Sequence, residues 1–483
     1  MAQSITKNFI YNVIKASTNT IIPLIIFPYV NRTLSPEYIG KLDVGSAFVG
    51  YVGLIATLGI DVYAVRECSA VRDDREKLEK VSNQIYSINI CTLLTSFVLM
   101  FAALFLFPQL SPYIGAILIY SLNVLFPVLG TTWLNNAKED FRFITLTTFV
   151  LQIATVVMVF AFVRSPQDYL LRAGIAVFPI VMLNTLNIFY RKRFCHIRIV
   201  KDMHFRQHFS SIVMMFGMLL SQTIFNNSDL IMLGFIRNDY EAGLYSTGVK
   251  CISILAQLIG SVLWVVLPRL SRLYIENKRT EINQLSGKLY SFLITFGLPA
   301  AIGLFAISDE AIFLVGGNEY LEASFPLKIL CISFLISQFG IGFCGNFTLL
   351  PAKKEKQFMI ACIITAIANI AANVFIIPAF GAAGAAATTA GGHLLALFIL
   401  LPSAAKEVHI SGLVHKTAGP AVGSILILLF CSVIKQLNLV FVPRLIVCIA
   451  GSTVLYGIVI IITKNETLLY ALNFAMNRIK RKR

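Results

Sequence analysis

Apolar residues along this chain come in runs of about twenty, apolar on all sides and separated by short polar segments. Such runs predict membrane-spanning helices. Only a helix or a closed barrel satisfies its backbone in hydrocarbon, and barrel strands alternate over about ten residues, which these runs do not. Window hydropathy places about fourteen spans, at 9–31, 38–62, 84–107, 111–134, 143–163, 169–190, 210–236, 241–266, 288–308, 324–350, 357–378, 382–402, 417–437 and 443–463. The polar breaks are weakest within 357–402 and 417–463. The first run begins near Phe9 with no basic stretch before it and no small-residue cleavage site, so it reads as a retained helix and not as a signal peptide.

Composition agrees: 57% of the 483 residues are hydrophobic and only 13% charged, and the mean hydropathy is +0.78. The expected class is an all-α polytopic membrane protein. A net charge of +16 raises the question of nucleic acid, but the charge lies in short connections between spans. With the N-terminus placed in the cytoplasm, about thirty of the 40 Lys and Arg fall on the inner side, in segments such as 66–80, 191–206, 269–288 and the 464–483 tail. Both termini are therefore expected inside. The nine Cys show no CxxC pairing, and Cys68, Cys91, Cys251, Cys331 and Cys448 read as small buried hydrophobes. His196, His204 and His208 read as part of a solvated basic loop, not as a metal site, and His393 as a packed histidine, not a proton relay. The acidic stretch "DEAIFLVGGNEYLEA", with Asp309, Glu310, Glu319 and Glu322, reads as a solvated outer connection.

An internal repeat organises the spans. The second opens "SPEYIGKLDVGSA" and the eighth "NDYEAGLYSTGVK", so that Gly40 and Gly45 map onto Gly243 and Gly248; the same offset takes Arg66 to Arg269 and Asn19 to Gln222. Two six-helix lobes of the same orientation follow, a parallel repeat about an axis along the membrane normal, with two extra C-terminal helices. The expected divisions are 1–207 (first lobe and basic loop), 208–405 (second lobe) and 406–483 (the last two helices and a basic tail).

Four spans carry polar residues at helical spacing. They are Asn8, Asn12, Lys15 and Asn19; Asp43, Ser46, Thr57 and Asp61; Gln222, Asn226 and Asp229; and Ser246, Lys250, Ser253, Gln257 and Ser261. In hydrocarbon these groups would be unpaired, so each face should meet a bundle interior or a wet cavity. The spans concerned are the first, second, seventh and eighth, equivalent pairs in the two repeats. Snorkelling is the competing account for Lys41, and an ion pair with Asp229 or Asp43 the competing account for Lys250.

The segment "YAVRECSAVRDDREKLEKV" resembles the "YGxREIAxxRDD" pattern of the Wzx-type polysaccharide flippases over Tyr63–Asp74, with Ala64 and Cys68 departing from it. That family belongs to the superfamily of the MATE exporters and lipid II flippases, in which the "IPxxGxxGAA" run at Ile377–Ala386 recurs. The resemblance covers nearly the whole chain. It implies two six-helix bundles around a central cavity that opens alternately to each side. It also implies movement of undecaprenyl-diphosphate-linked oligosaccharide across the bacterial cytoplasmic membrane for O-antigen, capsule or similar surface polysaccharide. Lys15, Lys41 and Lys250 would then supply point charges to the diphosphate, with Arg66 and Arg269 engaging it near the inner mouth. Asn19, Gln222, Asn226, Ser253 and Gln257 would serve the sugars. Asp43 and Asp229 offer proton or sodium coupling. Two other classes are weighed. A MATE-like cation-coupled drug exporter favours carboxylates in an uncharged lobe, against which the intramembrane lysines argue. An enzyme such as a polymerase or glycosyltransferase needs long catalytic outer loops, and these are short. No nucleotide-binding motif is present, and no cofactor or nucleic-acid partner is expected. The expected partners are the lipid-linked substrate, membrane lipids, and the polymerase and assembly proteins of the same polysaccharide.

Overall fold

The computed structural model describes residues 18, 21–203, 205–263, 266–409, 416–437 and 439–463. Lys15, Asn19 and the side chain of Asn226 lie outside what is described, as do His204 and the 464–483 tail. The described residues form helices joined by turns and short irregular connections, with no strand among them, and eleven of the helices are long and apolar enough to cross a membrane. The protein is a multi-pass, all-α membrane protein.

The chain packs as two compact units, Met1–Ser246 and Thr247–Arg483. The first holds α1 (Ile21–Thr33), α2 (Pro36–Thr57), α3 (Ile60–Ala70), α4 (Arg75–Leu106) and α5 (Ile114–Gly130). It continues with α6 (Thr132–Ala137), α7 (Phe141–Phe162), α8 (Tyr169–Tyr190), α9 (Phe205–Ile236) and the start of α10 (Asp239–Leu263). The second holds the rest of α10, then α11 (Leu267–Ile275), α12 (Arg279–Phe292), α13 (Leu298–Ala306), α14 (Ser308–Gly316) and α15 (Ser324–Ser337). It ends with α16 (Glu355–Ala405), α17 (Ala418–Gln436) and α18 (Phe441–Ile462), and π-helical turns occupy Leu293–Gly297 and Gln338–Leu349.

Several boundaries differ from the hydropathy reading, each for a local reason. The span expected at 84–107 begins nine residues earlier, because Asp74 caps α4 by accepting from the Lys77 amide at 3.1 Å. Hydropathy does not register that polar first turn. The span expected at 38–62 is broken where Leu58 and Gly59 both take left-handed backbone, at φ 45° and 77°, which separates α2 from the more polar α3. α16 is 51 residues long and would run about 75 Å if straight, over twice the hydrocarbon thickness. It folds back at Gly381, whose φ of 53° and ψ of −133° suit a residue without Cβ. The Thr388 hydroxyl consequently reaches the Asn373 side chain, fifteen residues away. The weakly marked break within 357–402 is thus a turn, at the glycine of "IPAFGAAG".

Part of the Tyr63–Asp74 motif builds the core. Tyr63, Ala64 and Cys68 are buried with Leu78, Trp133, Leu134 and Cys195 in one apolar cluster. Arg72 pairs with Glu139, and Lys138 donates to the Arg72 carbonyl at 2.6 Å. The Glu139 carboxylate holds the Arg72 guanidinium above its ordinary pKa, and the hydrogen bonds from the backbone and side chain of Lys77 hold Asp74 below its own. Beyond α8, the amides of His196, Arg198 and Val200 donate to Glu79, Asn83 and Ser87 of α4 at 3.2, 2.9 and 2.8 Å. Two residues of extended chain advance about 6.6 Å and four of helix about 6 Å, so the two backbones run in step.

Two readings from the sequence need correction. Cys91 is exposed; it sits on a face of α4 that also exposes Leu94 and Val98, where lipid tails replace protein as apolar surroundings. Glu310 is 2% exposed, not solvated, and pairs with Lys435 of α17 at 3.0 Å and Arg444 of α18 at 3.2 Å. Asp309 joins them through Lys328 at 3.1 Å and Lys435 at 3.2 Å. Burial alone would raise the Asp309 carboxyl, but the two lysine hydrogen bonds outweigh it and hold it below its ordinary value. Glu319 and Glu322 are exposed, as expected.

Candidate functional site

In the first unit, α2 brings Asp43 to the interior two turns from its start, and α8 brings Arg172 there from its first turn. Arg172 interacts electrostatically with both Asp43 and Tyr120 of α5. A carboxylate, a guanidinium and a phenol from three helices therefore share one polar spot between otherwise apolar surfaces. The aspartate of α9 is set apart from this group. Asp229 is 2% exposed, accepts from the Tyr245 hydroxyl of α10 at 2.7 Å, and lies in the field of Tyr51. Gln222, two turns earlier on α9, is exposed. An exposed amide within a span suits a wet surface better than a lipid one.

Lys41 stays at the helix start. Its ammonium pairs with Glu37 at 3.1 Å, sits 5.4 Å from the Tyr38 ring centre, and is in the field of Asp239. The Asp239 carboxylate in turn accepts from the Tyr113 hydroxyl at 2.6 Å. This charged group surrounds a close crossing of α2 and α10. A Cβ on Gly40 would stand 1.8 Å from the Asp239 carbonyl oxygen, and one on Gly243 would stand 1.9 Å from that of Pro36. Each glycine thus faces the residue four before the other, and Pro36 and Asp239 are themselves related by the repeat offset. Such reciprocity is what a two-fold pair of helices produces, and only glycine allows backbones this near.

In the second unit, the polar face of α10 runs from buried to open. Lys250 and Ser253 are partly buried and Gln257 is exposed, while Ser246, one turn earlier in the first unit, is 2% exposed. The Ser253 hydroxyl donates back to the Val249 carbonyl at 2.8 Å. Arg269 is exposed at the start of α11. Its repeat counterpart Arg66 is also exposed, held by the adjacent Glu67 at 3.0 Å and lying over Tyr63 at 5.3 Å. Among the described residues, no group of three or more His, Cys, Asp or Glu is placed to hold a metal ion. His393 meets the Ser333 hydroxyl at 2.7 Å through Nδ1.

Charges inside spans mark candidate functional groups, and comparisons with known proteins say which family the chain resembles. The family model for polysaccharide biosynthesis protein matches residues 5–274. The chain belongs to that family. The match takes in α1 to α10 and the Tyr63–Asp74 motif, whereas the Gly381 turn lies beyond it. Among curated relatives of this chain, "Putative O-antigen transporter" of Escherichia coli (strain K12) is 22% identical over 378 residues, 74% of this chain and 86% of that protein. Capsular polysaccharide biosynthesis protein CapF of Staphylococcus aureus is 22% identical over 400 residues, 81% of this chain and 97% of that protein. Among solved structures, lipid II flippase MurJ in an inward closed conformation superposes with a TM-score of 0.74 at 15% identity, covering 94% of this chain and 99% of that one. An inward-facing multidrug resistance MATE family transporter gives 0.60 at 13% identity, covering 86% and 97%. At these identities the superpositions establish the fold alone.

Arg172, Tyr120 and Tyr245 were missed in the sequence. Arg172 stands beside a connection between spans, where a cation reads as an interfacial anchor, and the two tyrosines show no sign in one dimension that they face an aspartate. The signal available was a carboxylate two turns into a span, which needs a partner somewhere.

Proposed function

We propose that this protein carries undecaprenyl-diphosphate-linked oligosaccharide across the bacterial cytoplasmic membrane, by alternating access, for assembly of O-antigen, capsule or a similar surface polysaccharide. The observation that carries the reading is the placement of Lys250 and Arg172 within spans of a polysaccharide-biosynthesis family member. A cation in a span is costly, by about 2.5–3.5 kcal/mol on insertion scales, and a diphosphate is an anion that such a position would suit. Lys15, Lys41 and Lys250 are assigned to it as point charges. Arg66 and Arg269, exposed at the start of the path, take it first. Arg172 joins the set, released from Asp43 when the phosphate arrives. Asn19, Gln222, Asn226, Ser253 and Gln257 serve the glycan hydroxyls. The protein acts as a transporter and not as an enzyme, with both termini cytoplasmic and with polymerase and assembly proteins as partners in the membrane. Asp43 and Asp229 are the groups whose protonation or sodium binding would couple transport to an ion gradient.

The test is reconstitution of the full chain in liposomes loaded with a lipid-diphosphate oligosaccharide on one leaflet, with a cationic dye offered in parallel. Transfer of the glycan lipid and indifference to the dye are expected. Dye export without glycan transfer would replace this reading with that of a drug exporter.

A further inference from the structure

The first unit carries a second polar opening, away from the residues assigned above. At the end of the bundle that bears the basic connections, α7 begins and α8 ends around a cleft of 350 Å³. Phe143 and Tyr190 form its wall, their rings stacked at 3.8 Å and 9°. The Tyr190 hydroxyl donates to Asp140 at 2.7 Å and accepts from Arg193 at 2.6 Å. The guanidinium of Arg193 lies over the Tyr190 ring at 4.7 Å. The carboxylate lining the cleft therefore already has a donor, and Arg193 is held by its ring and hydroxyl with other N–H groups to spare. Arg142, also lining the cleft, is exposed and makes no hydrogen bond or ion pair among the described residues.

From the cleft an apolar stripe leads along α7: Leu146, Val150, Ile153 and Val157 are exposed by 49, 63, 45 and 61% respectively. A soluble anion would gain nothing from that stripe. A ligand with an anionic head and hydrocarbon chains would use both parts, the head on two guanidiniums that favour phosphate oxygens and the chains on the stripe. A zwitterionic head would bring its own cation beside Arg142 and Arg193. We propose that this cleft binds the phosphate of an anionic membrane phospholipid, of the phosphatidylglycerol kind, as a site separate from the transport path. The proposal does not depend on which glycan is carried.

Native mass spectrometry of the purified full chain in detergent, titrated with phosphatidylglycerol or phosphatidylcholine, tests it. Arg142→Ala/Arg193→Ala should weaken phosphatidylglycerol binding by about thirtyfold, from about one kcal/mol for each of the two basic residues near a membrane surface, and leave phosphatidylcholine binding unchanged. Arg272→Ala/Lys278→Ala removes the same charge from elsewhere and should change neither. Should the double variant not fold, Arg142→Gln disturbs no internal partner and should still lower phosphatidylglycerol occupancy several-fold. Three results would overturn the proposal: undiminished phosphatidylglycerol binding in the folded variants, an equal loss in the Arg272/Lys278 control, or displacement of the lipid by equimolar inorganic phosphate, which would mark a site for free phosphate.

Discussion

The two units place their charges differently. In the first, Asp43, Arg172 and Asp229 sit inside spans, each facing a residue from another helix. Ion pairs lie at helix ends in both units, and in the second they centre on two largely buried carboxylates, Glu310 and Glu407. Glu310 and Asp309 hold α17 and α18 through Lys435 and Arg444, and Glu407 holds α12 and the start of α16 through Arg279 at 2.9 Å and Lys354 at 2.7 Å. Lys250 is the second unit's cation well inside a span among the residues assigned to substrate. The contrast separates two uses of charge in one membrane protein. Pairs at helix ends fasten helices together, whereas charge within a span is expensive and marks the candidate for a ligand or ion site.

If the contrast holds, the largest loss of stability comes from the fastening charges. Glu310→Ala leaves Arg444 and Lys435 without their buried carboxylate and should cost about 3–5 kcal/mol in thermal unfolding of the detergent-solubilised protein. A melting temperature equal to that of the wild type would show that the last two helices are held by apolar packing alone. Next comes the helix crossing. Gly243→Ala drives a methyl into the Pro36 carbonyl and should cost about 1–3 kcal/mol. Gly174→Ala, at a helical glycine with nothing within 4 Å, should be neutral or stabilising by up to about 1 kcal/mol. Equal effects at both glycines would remove the basis for the reciprocal crossing.

The smallest effect is with pH. Burial would raise the Glu407 carboxyl, but hydrogen bonds from Lys354 and Arg279 prevail and hold it below its ordinary 4.5. A carboxyl depressed in the folded state stabilises fully above its unfolded pKa and stops doing so as pH falls through the folded value. Wild-type melting should therefore fall between about pH 5 and pH 3, and Glu407→Gln should flatten part of that fall. The part is under about 1 kcal/mol, since water screens the cluster. An unchanged pH profile in the variant would mean that the pairs contribute nothing measurable.

Much of the architecture was legible in the sequence because a bilayer leaves a segment few options. A run of about twenty apolar residues must be a helix, whereas the turn at Gly381 was only weakly marked by the sequence around it. Polar extensions such as the first turn of α4 were not legible, since hydropathy ends where the apolar residues end. The burial of Glu310 was hidden for another reason. A carboxylate in a short connection reads as solvated, and its partners Lys435 and Arg444 come more than a hundred residues later. The same holds for Arg172, more than a hundred residues from Asp43. Spacing along one helix showed which faces were polar, but not what they faced.

The central claim is that cations within the spans engage the diphosphate of a lipid-linked glycan. The initial rate of lipid-diphosphate oligosaccharide transfer in liposomes tests it most directly, with wild-type protein and Lys250→Ala at matched, folded protein density. Losing a charge-assisted contact worth about 1.5–3 kcal/mol predicts a fall of about tenfold or more, with Lys250→Arg retaining part of the rate. Transfer by Lys250→Ala at the wild-type rate would contradict the account.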